Sequence, residues 1–176
     1  TSCFSPAGWT VPSTATLMTG LSPARHRALN MGDTLQPQAV TLAERLSEAG
    51  YRSLGMSHNV YVQKDTGFGQ GFQTFLDFEG EILGSPDIST MHEPLRAWLE
   101  QDREAPFFVY AQPMNCHGPY KVPPGHLSDL LGRPPAEGFT YYDRLMVDIL
   151  WEGKLERRAD VTAEVLTSLR EKYDTA

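Results

Sequence analysis

Apolar and polar positions fall in short segments along this chain, each bounded by a glycine, a proline or a capping residue. Pro12 fits the first position of a helix, because its missing N–H has no partner to lose there and its φ is already helical. The pattern predicts a helix over residues 12–19, ended by Gly20, with Thr10 just ahead of it. Residues 22–38 are polar and turn-rich and predict a loop. Thr41-Leu42-Ala43-Glu44 has the spacing of a capping box, Leu42 and Leu46 share one face, and Gly50 takes the position after the last turn. That makes residues 42–49 a helix and residues 51–56 a buried strand. A helix followed closely by a strand is one leg of a βαβ layout and favours a parallel sheet.

Gly67-Phe68-Gly69-Gln70-Gly71-Phe72, with Phe75, is glycine-rich but lacks the Gly-Lys-Ser/Thr ending of a phosphate loop. It predicts a structural loop pinned by phenylalanines. Thr90-Met91-His92-Glu93 is a second capping-box spacing, opening a helix that carries Leu95, Trp98 and Leu99. Residues 106–111 are a continuous apolar run, the strongest strand of the chain, with a composition suited to cover on both faces. It leads into residues 112–120, and in parallel sheets ligands sit at the carboxyl ends of strands. Residues 121–138 predict a loop with one helical turn at 126–131, and residues 141–151 are ambiguous, with helix as one alternative. Residues 160–173 predict a helix burying Val161, Val165, Leu169 and Tyr173.

Composition narrows the class. A chain of 176 residues with 40% hydrophobic content can build one domain with a real core. Its net charge of −7 gives no basic footprint for nucleic acid, and no apolar run is long enough to cross a bilayer. Cys3 and Cys116 lie far apart and form no zinc-type spacing, and their pairing stays open. The chain opens on Thr1, and its first six residues are not signal-like, which leaves a removed leader and a missing upstream region as alternatives.

Thr10 is the first candidate for chemistry. Ahead of a helix N-terminus it meets open backbone N–H groups and the positive end of the helix dipole, so an anion bound there would face a hydroxyl. That hydroxyl is a candidate nucleophile towards a phosphate or sulfate ester; the alternative is a threonine-rich cap with no chemistry. Of the five histidines, His92 reads as solvated and His126 as a loop residue. His26 lies in Arg25-His26-Arg27, a basic cluster that either faces an anion or sits at the surface. His58 and His117 each follow a predicted strand, where an imidazole can bind an anionic oxygen or protonate a leaving group, or serve structure alone. A Cys116-His117 thiol hydrolase is disfavoured, because adjacent residues on an extended chain point to opposite sides.

Thr10-Val11-Pro12-Ser13-Thr14, followed by Leu17-Met18-Thr19-Gly20-Leu21-Ser22-Pro23, resembles the signature of the sulfatases within the alkaline phosphatase superfamily. There the pattern runs Cys or Ser, any residue, Pro, Ser, Arg, then an apolar turn ending Thr-Gly. Its first residue is the nucleophile, which true sulfatases convert to formylglycine. Thr10 in that place, and Thr14 in place of the Arg, resemble the branch that keeps an unmodified threonine, a group including phosphoester hydrolases and phosphoglycerol transferases. Gly50-Tyr51-Arg52-Ser53 is similar to the family's Gly-Tyr-x-Thr run. That run leads to a functional Gly-Lys-Trp-His, whose place is taken by Ser57-His58-Asn59-Val60, with His58 at the Lys position. Asn59, with Gly69, Gly71, Phe72 and Phe75 after it, resembles members that carry a Ser-x-Asn turn instead. His117-Gly118-Pro119-Tyr120 is similar to the family's His-x-Pro-Tyr, whose histidine contacts the ester and assists the leaving group.

The resemblance implies an α/β fold with a mainly parallel sheet flanked by helices, alkaline-phosphatase-like and incomplete, with residues 1–176 forming part of one catalytic domain. It implies Thr10 and His117 as catalytic residues and His58 and Asn59 as substrate-binding residues, converging on one pocket at the carboxyl edge of the sheet. It further implies a divalent metal ion, commonly calcium, to which Thr10 is the one ligand this chain supplies. No Asp-Asp pair precedes Thr10 and no Asp-His-Gly occurs, so the expectation is an internal piece of a longer enzyme, inactive by itself. The implied substrate is a small-molecule, glycan or lipid ester of sulfate or phosphate. The alternatives are a phosphoglycerol-type transferase and a catalytically silent binding domain.

Overall fold

Strand β1 (Arg52–Ser57) is the middle of a three-stranded parallel sheet, with β2 (Thr74–Asp77) on one side and β3 (Phe107–Gln112) on the other. This computed structural model describes residues 4–78, 88–115, 117, 162–167 and 170. Leu54 is paired with Thr74 and Val109, and Gly55 with Phe75 and Tyr110. Residues 53–57 are all buried, as expected of a parallel strand covered on both faces. Gly55 has no side chain because the Phe75 ring occupies the space where a Cβ would stand.

Side-chain alternation divides the sheet between two cores. Leu54, Met56 and Val109 pack against Met91, Trp98, Leu95 and Leu99 of helix α4 (Ser89–Glu100). Tyr110 and Phe72 pack on the core made by Val11, Ala15 and Met18 of helix α1 (Thr10–Thr19) together with Ala28, Leu35, Val62 and Phe68. Arg52 binds the far end of α4: its guanidinium lies 4.2 Å from the Trp98 ring centre and donates to the carbonyls of Trp98, at 2.8 Å, and Asp102.

The α/β architecture with a parallel sheet is as expected, and several local readings change. Helix α1 begins at Thr10, not Pro12, with Trp9 as its extended N-cap and Gly20 as its left-handed C-cap. The loop over 22–38 contains a short helix, α2 (Pro23–His26), for which Ser22-Pro23 is a start signal. Helix α3 (Leu42–Glu48) has its capping box in both directions, but Leu42 is exposed and Ala43 is the buried residue. Strand β2 has no counterpart among the elements that the pattern predicts. The Thr90 capping box does not form, because α4 already starts at Ser89 and the Thr90 hydroxyl bonds His58. β3, the strongest strand by composition, is half-exposed among the described residues, and the fully buried strand is β1 with its serines and glycine. Its central place in the sheet, not its apolarity, is what buries it.

The chain divides into two compact units, Thr1–Met114 and Asn115–Ala176. In the second unit residues 163–167 are helical and Val165 is buried. The readings for 121–138, for 141–151 and for Val161, Leu169 and Tyr173 lie outside the described residues.

Candidate active site

The first turn of α1 holds Thr10 as a helical residue, not ahead of the helix. Trp9 is extended, and its carbonyl accepts from the Ser13 N–H at 3.4 Å and the Ser13 hydroxyl at 2.6 Å. Pro12 has no N–H, so the outward donors of this turn are those of Thr10 and Val11. The Thr10 side chain is half-buried, and its hydroxyl makes no hydrogen bond among the described residues. A hydroxyl therefore stands in the same turn as two backbone donors at the positive end of a ten-residue helix.

Thr14, one turn further along α1, occupies the position where the signature has Arg. It is buried, with its hydroxyl near enough to the Tyr110 phenol on β3 to oppose the rise of that group's pKa. The Tyr110 hydroxyl donates to Gln112 Oε1 at 2.7 Å. Burial pushes the Tyr110 phenol up to about 12, so it stays protonated and acts as a fixed donor. The place of the signature's Arg is thus taken by a buried, neutral hydroxyl beside the Tyr110 phenol.

The turn after β1 reaches the same edge. Asn59 Oδ1 accepts from the Tyr61 N–H at 2.9 Å, and the Asn59 amide donates to Met114 Sδ at 3.3 Å, linking this turn to the segment after β3. Tyr61 packs edge-on against Trp9, the cap of α1, with ring centres 6.3 Å apart. The structure so brings the starts of α1 and of the Asn59 turn side by side at the carboxyl edge of the sheet. His58 is placed differently. It continues the face of Leu54 and Met56 towards α4, where its Nε2 lies 3.0 Å from Thr90 Oγ1 and its ring stands edge-on to Phe78. Both His58 and Asn59 are buried, at 3% and 4% exposure. His117 belongs to the second unit and is exposed.

His26 is not a surface residue. It is 2% exposed under α1, with Nε2 3.1 Å from Thr16 Oγ1 and Nδ1 accepting from the Ala28 N–H at 3.2 Å. Among the described residues, no three His, Cys, Asp or Glu side chains come together as a metal site.

A family model described as Sulfatase matches residues 1–146. A search of curated protein sequences gives no match. Among solved structures, the fold is similar to that titled "Crystal structure of Ps i-CgsB", with a TM-score of 0.50 and 16% identity. That likeness covers 97% of this chain and 46% of the other, so the chain spans less than half of that protein's length. At this identity the likeness is one of fold.

Proposed function

The chain belongs to the sulfatase family, and on that premise we propose that it is part of the single catalytic domain of a sulfatase-like hydrolase of sulfate or phosphate esters, with Thr10 as nucleophile. The observation that supports this reading is the half-buried Thr10 hydroxyl, without a hydrogen bond among the described residues, in the same first turn of α1 as the Thr10 and Val11 donors. In the proposed reaction the Thr10 oxygen attacks phosphorus or sulfur in line with the leaving oxygen. The Thr10 hydroxyl gives up its proton to solvent, and a new bond to the threonine oxygen forms as the ester bond breaks. The leaving oxygen takes a proton from His117, assigned by resemblance, and water then hydrolyses the threonine ester. The helix donors hold the equatorial oxygens. Threonine in the nucleophile position favours phosphoester or phosphoglycerol chemistry, since the formylglycine conversion uses Cys or Ser. His58 and Asn59 are proposed as substrate-binding residues, and their buried placement makes KM the quantity to follow.

The family generally uses a divalent metal, and calcium is the proposed ion. The described residues do not fit one: a single hydroxyl is no site for a cation that takes roughly six or more oxygen ligands. Its remaining ligands are proposed to lie outside them. The same observation, with Thr14 buried under Tyr110, supports a second reading, a silent domain that binds esters without turning them over.

The test is Thr10→Ala in the full-length protein, assayed on p-nitrophenyl phosphate and p-nitrophenyl sulfate. The expected result is a loss of turnover on the order of a thousandfold or more with an unchanged Tm. Asn59→Ala, in the same assay, should raise KM more than it lowers kcat. Turnover unchanged by Thr10→Ala removes Thr10 as nucleophile, and a full-length protein that binds but never turns over either ester establishes the silent domain.

A further inference from the structure

We infer that His26 is a positioning residue for the nucleophile helix: its ring holds α1 at Thr16 and so sets where the Thr10 hydroxyl stands. The inference rests on the proposed role of Thr10. Helix α2 packs against α1, and its last residue inserts an imidazole into the space beneath it.

The two ring nitrogens have separate tasks. Nδ1 accepts the Ala28 N–H, folded back by the left-handed Arg27 at φ 60°. With Nδ1 used as acceptor, the neutral ring carries its proton on Nε2. That N–H faces the Thr16 hydroxyl, 3.1 Å away. Thr16 belongs to α1, six residues on from Thr10, so the ring grips the nucleophile helix itself. Burial also holds the ring below its usual pKa, which keeps it in this neutral, single-donor form. An apolar residue of the same volume would fill the space but leave Ala28 and α1 unlinked. A misplacement of about 1 Å at a reacting group can cost about a hundredfold in rate.

The two nitrogens can be tested apart, because an asparagine amide reproduces Nδ1 and a glutamine amide reproduces Nε2. In the full-length protein, kcat, KM and Tm are measured for His26→Asn, His26→Gln and Thr16→Val, with p-nitrophenyl phosphate as substrate. Amide hydrogen exchange over residues 11–19 reads the grip on α1 without turnover. His26→Asn keeps the Ala28 bond and loses the grip; its kcat is expected to fall about tenfold or more, with KM little changed and exchange in α1 faster. His26→Gln keeps the grip and most of kcat, although it too loses one bond and some Tm. Thr16→Val, which leaves His26 in place, should follow His26→Asn and serves if either histidine variant fails to fold. Equal kcat and equal exchange in the two His26 variants, or kcat that simply tracks Tm, overturns the inference while leaving Thr10 as nucleophile. Full turnover by Thr10→Ala removes the nucleophile and the positioning role together.

Discussion

At the scale of single residues, the proposed site is marked by hydroxyls whose surroundings differ. Thr10 has no hydrogen-bond partner among the described residues, whereas Thr14, four positions on, is buried beside the Tyr110 phenol. Tyr110 is the residue most changed by its surroundings. Its phenol is raised from 10.0 to about 12 by burial, with Thr14 opposing that rise. A raised acid binds its proton more tightly folded than unfolded. This contribution to stability is therefore complete below about pH 10 and is lost as pH rises through about 12. Tyr110→Phe should cost about 1 kcal/mol at neutral pH, because Gln112 loses its hydrogen-bond donor. In near-UV absorbance titration, the difference between wild type and Tyr110→Phe should show no phenolate step near pH 10. A step there would mean that the phenol is open to solvent.

At the scale of elements, the junction of α3 with the glycine loop orders the residues that carry β2. The Thr41 hydroxyl accepts the Glu44 N–H at 3.1 Å and donates to the Gln70 carbonyl at 2.9 Å, while the Gln70 amide donates to Glu44 Oε2 at 2.7 Å. Gly71 has φ +83°, and a Cβ there would meet the Glu44 backbone. Burial pushes the Glu44 carboxyl upward, but the Thr41 N–H and the Gln70 amide outweigh it and hold its pKa below the usual value. A depressed acid contributes stability above its unfolded pKa and loses it as pH falls through the folded value. Glu44→Gln should therefore lower stability by about 1 kcal/mol at neutral pH, and the gap to wild type in urea unfolding should close on acidification below about pH 4.5. A gap that stays constant with pH would show that the carboxylate charge is not what the cap uses.

At the scale of the whole molecule, this chain of the sulfatase family combines a site edge with no metal cluster among its described residues. A threonine hydroxyl alone is hardly ionised near neutral pH and is a weak nucleophile. The 176 residues by themselves are expected to show no hydrolysis of p-nitrophenyl phosphate or sulfate, with or without added calcium. The full-length protein is expected to turn over at least one of them in a chelator-sensitive way. Robust turnover by the 176 residues would require a nucleophile activated from within this chain and would overturn the metal part of the proposal.

Local chemistry carried by adjacent residues is legible in the amino-acid sequence alone. The Thr41–Glu44 box, Gly50 at φ 86° with Tyr51 N–H returning to the Leu46 carbonyl, and Gly20 as a left-handed cap each follow from a few neighbouring side chains. So do the parallel sheet, from a helix leading closely into a strand, and the Thr10 signature. Tertiary structure decided what depends on partners distant in sequence. Ser53, Gly55 and Ser57 became the most buried strand because β2 and β3 pair on either side of it, a position that no propensity encodes. Thr90 left its capping role because His58, 32 residues earlier, offered a ring nitrogen. His26, flanked by two arginines and polar by every local measure, was drawn under α1 because Ala28 and Thr16 satisfy both of its nitrogens at once. Burial of a polar side chain is favourable only where such partners converge, and convergence is a property of the fold.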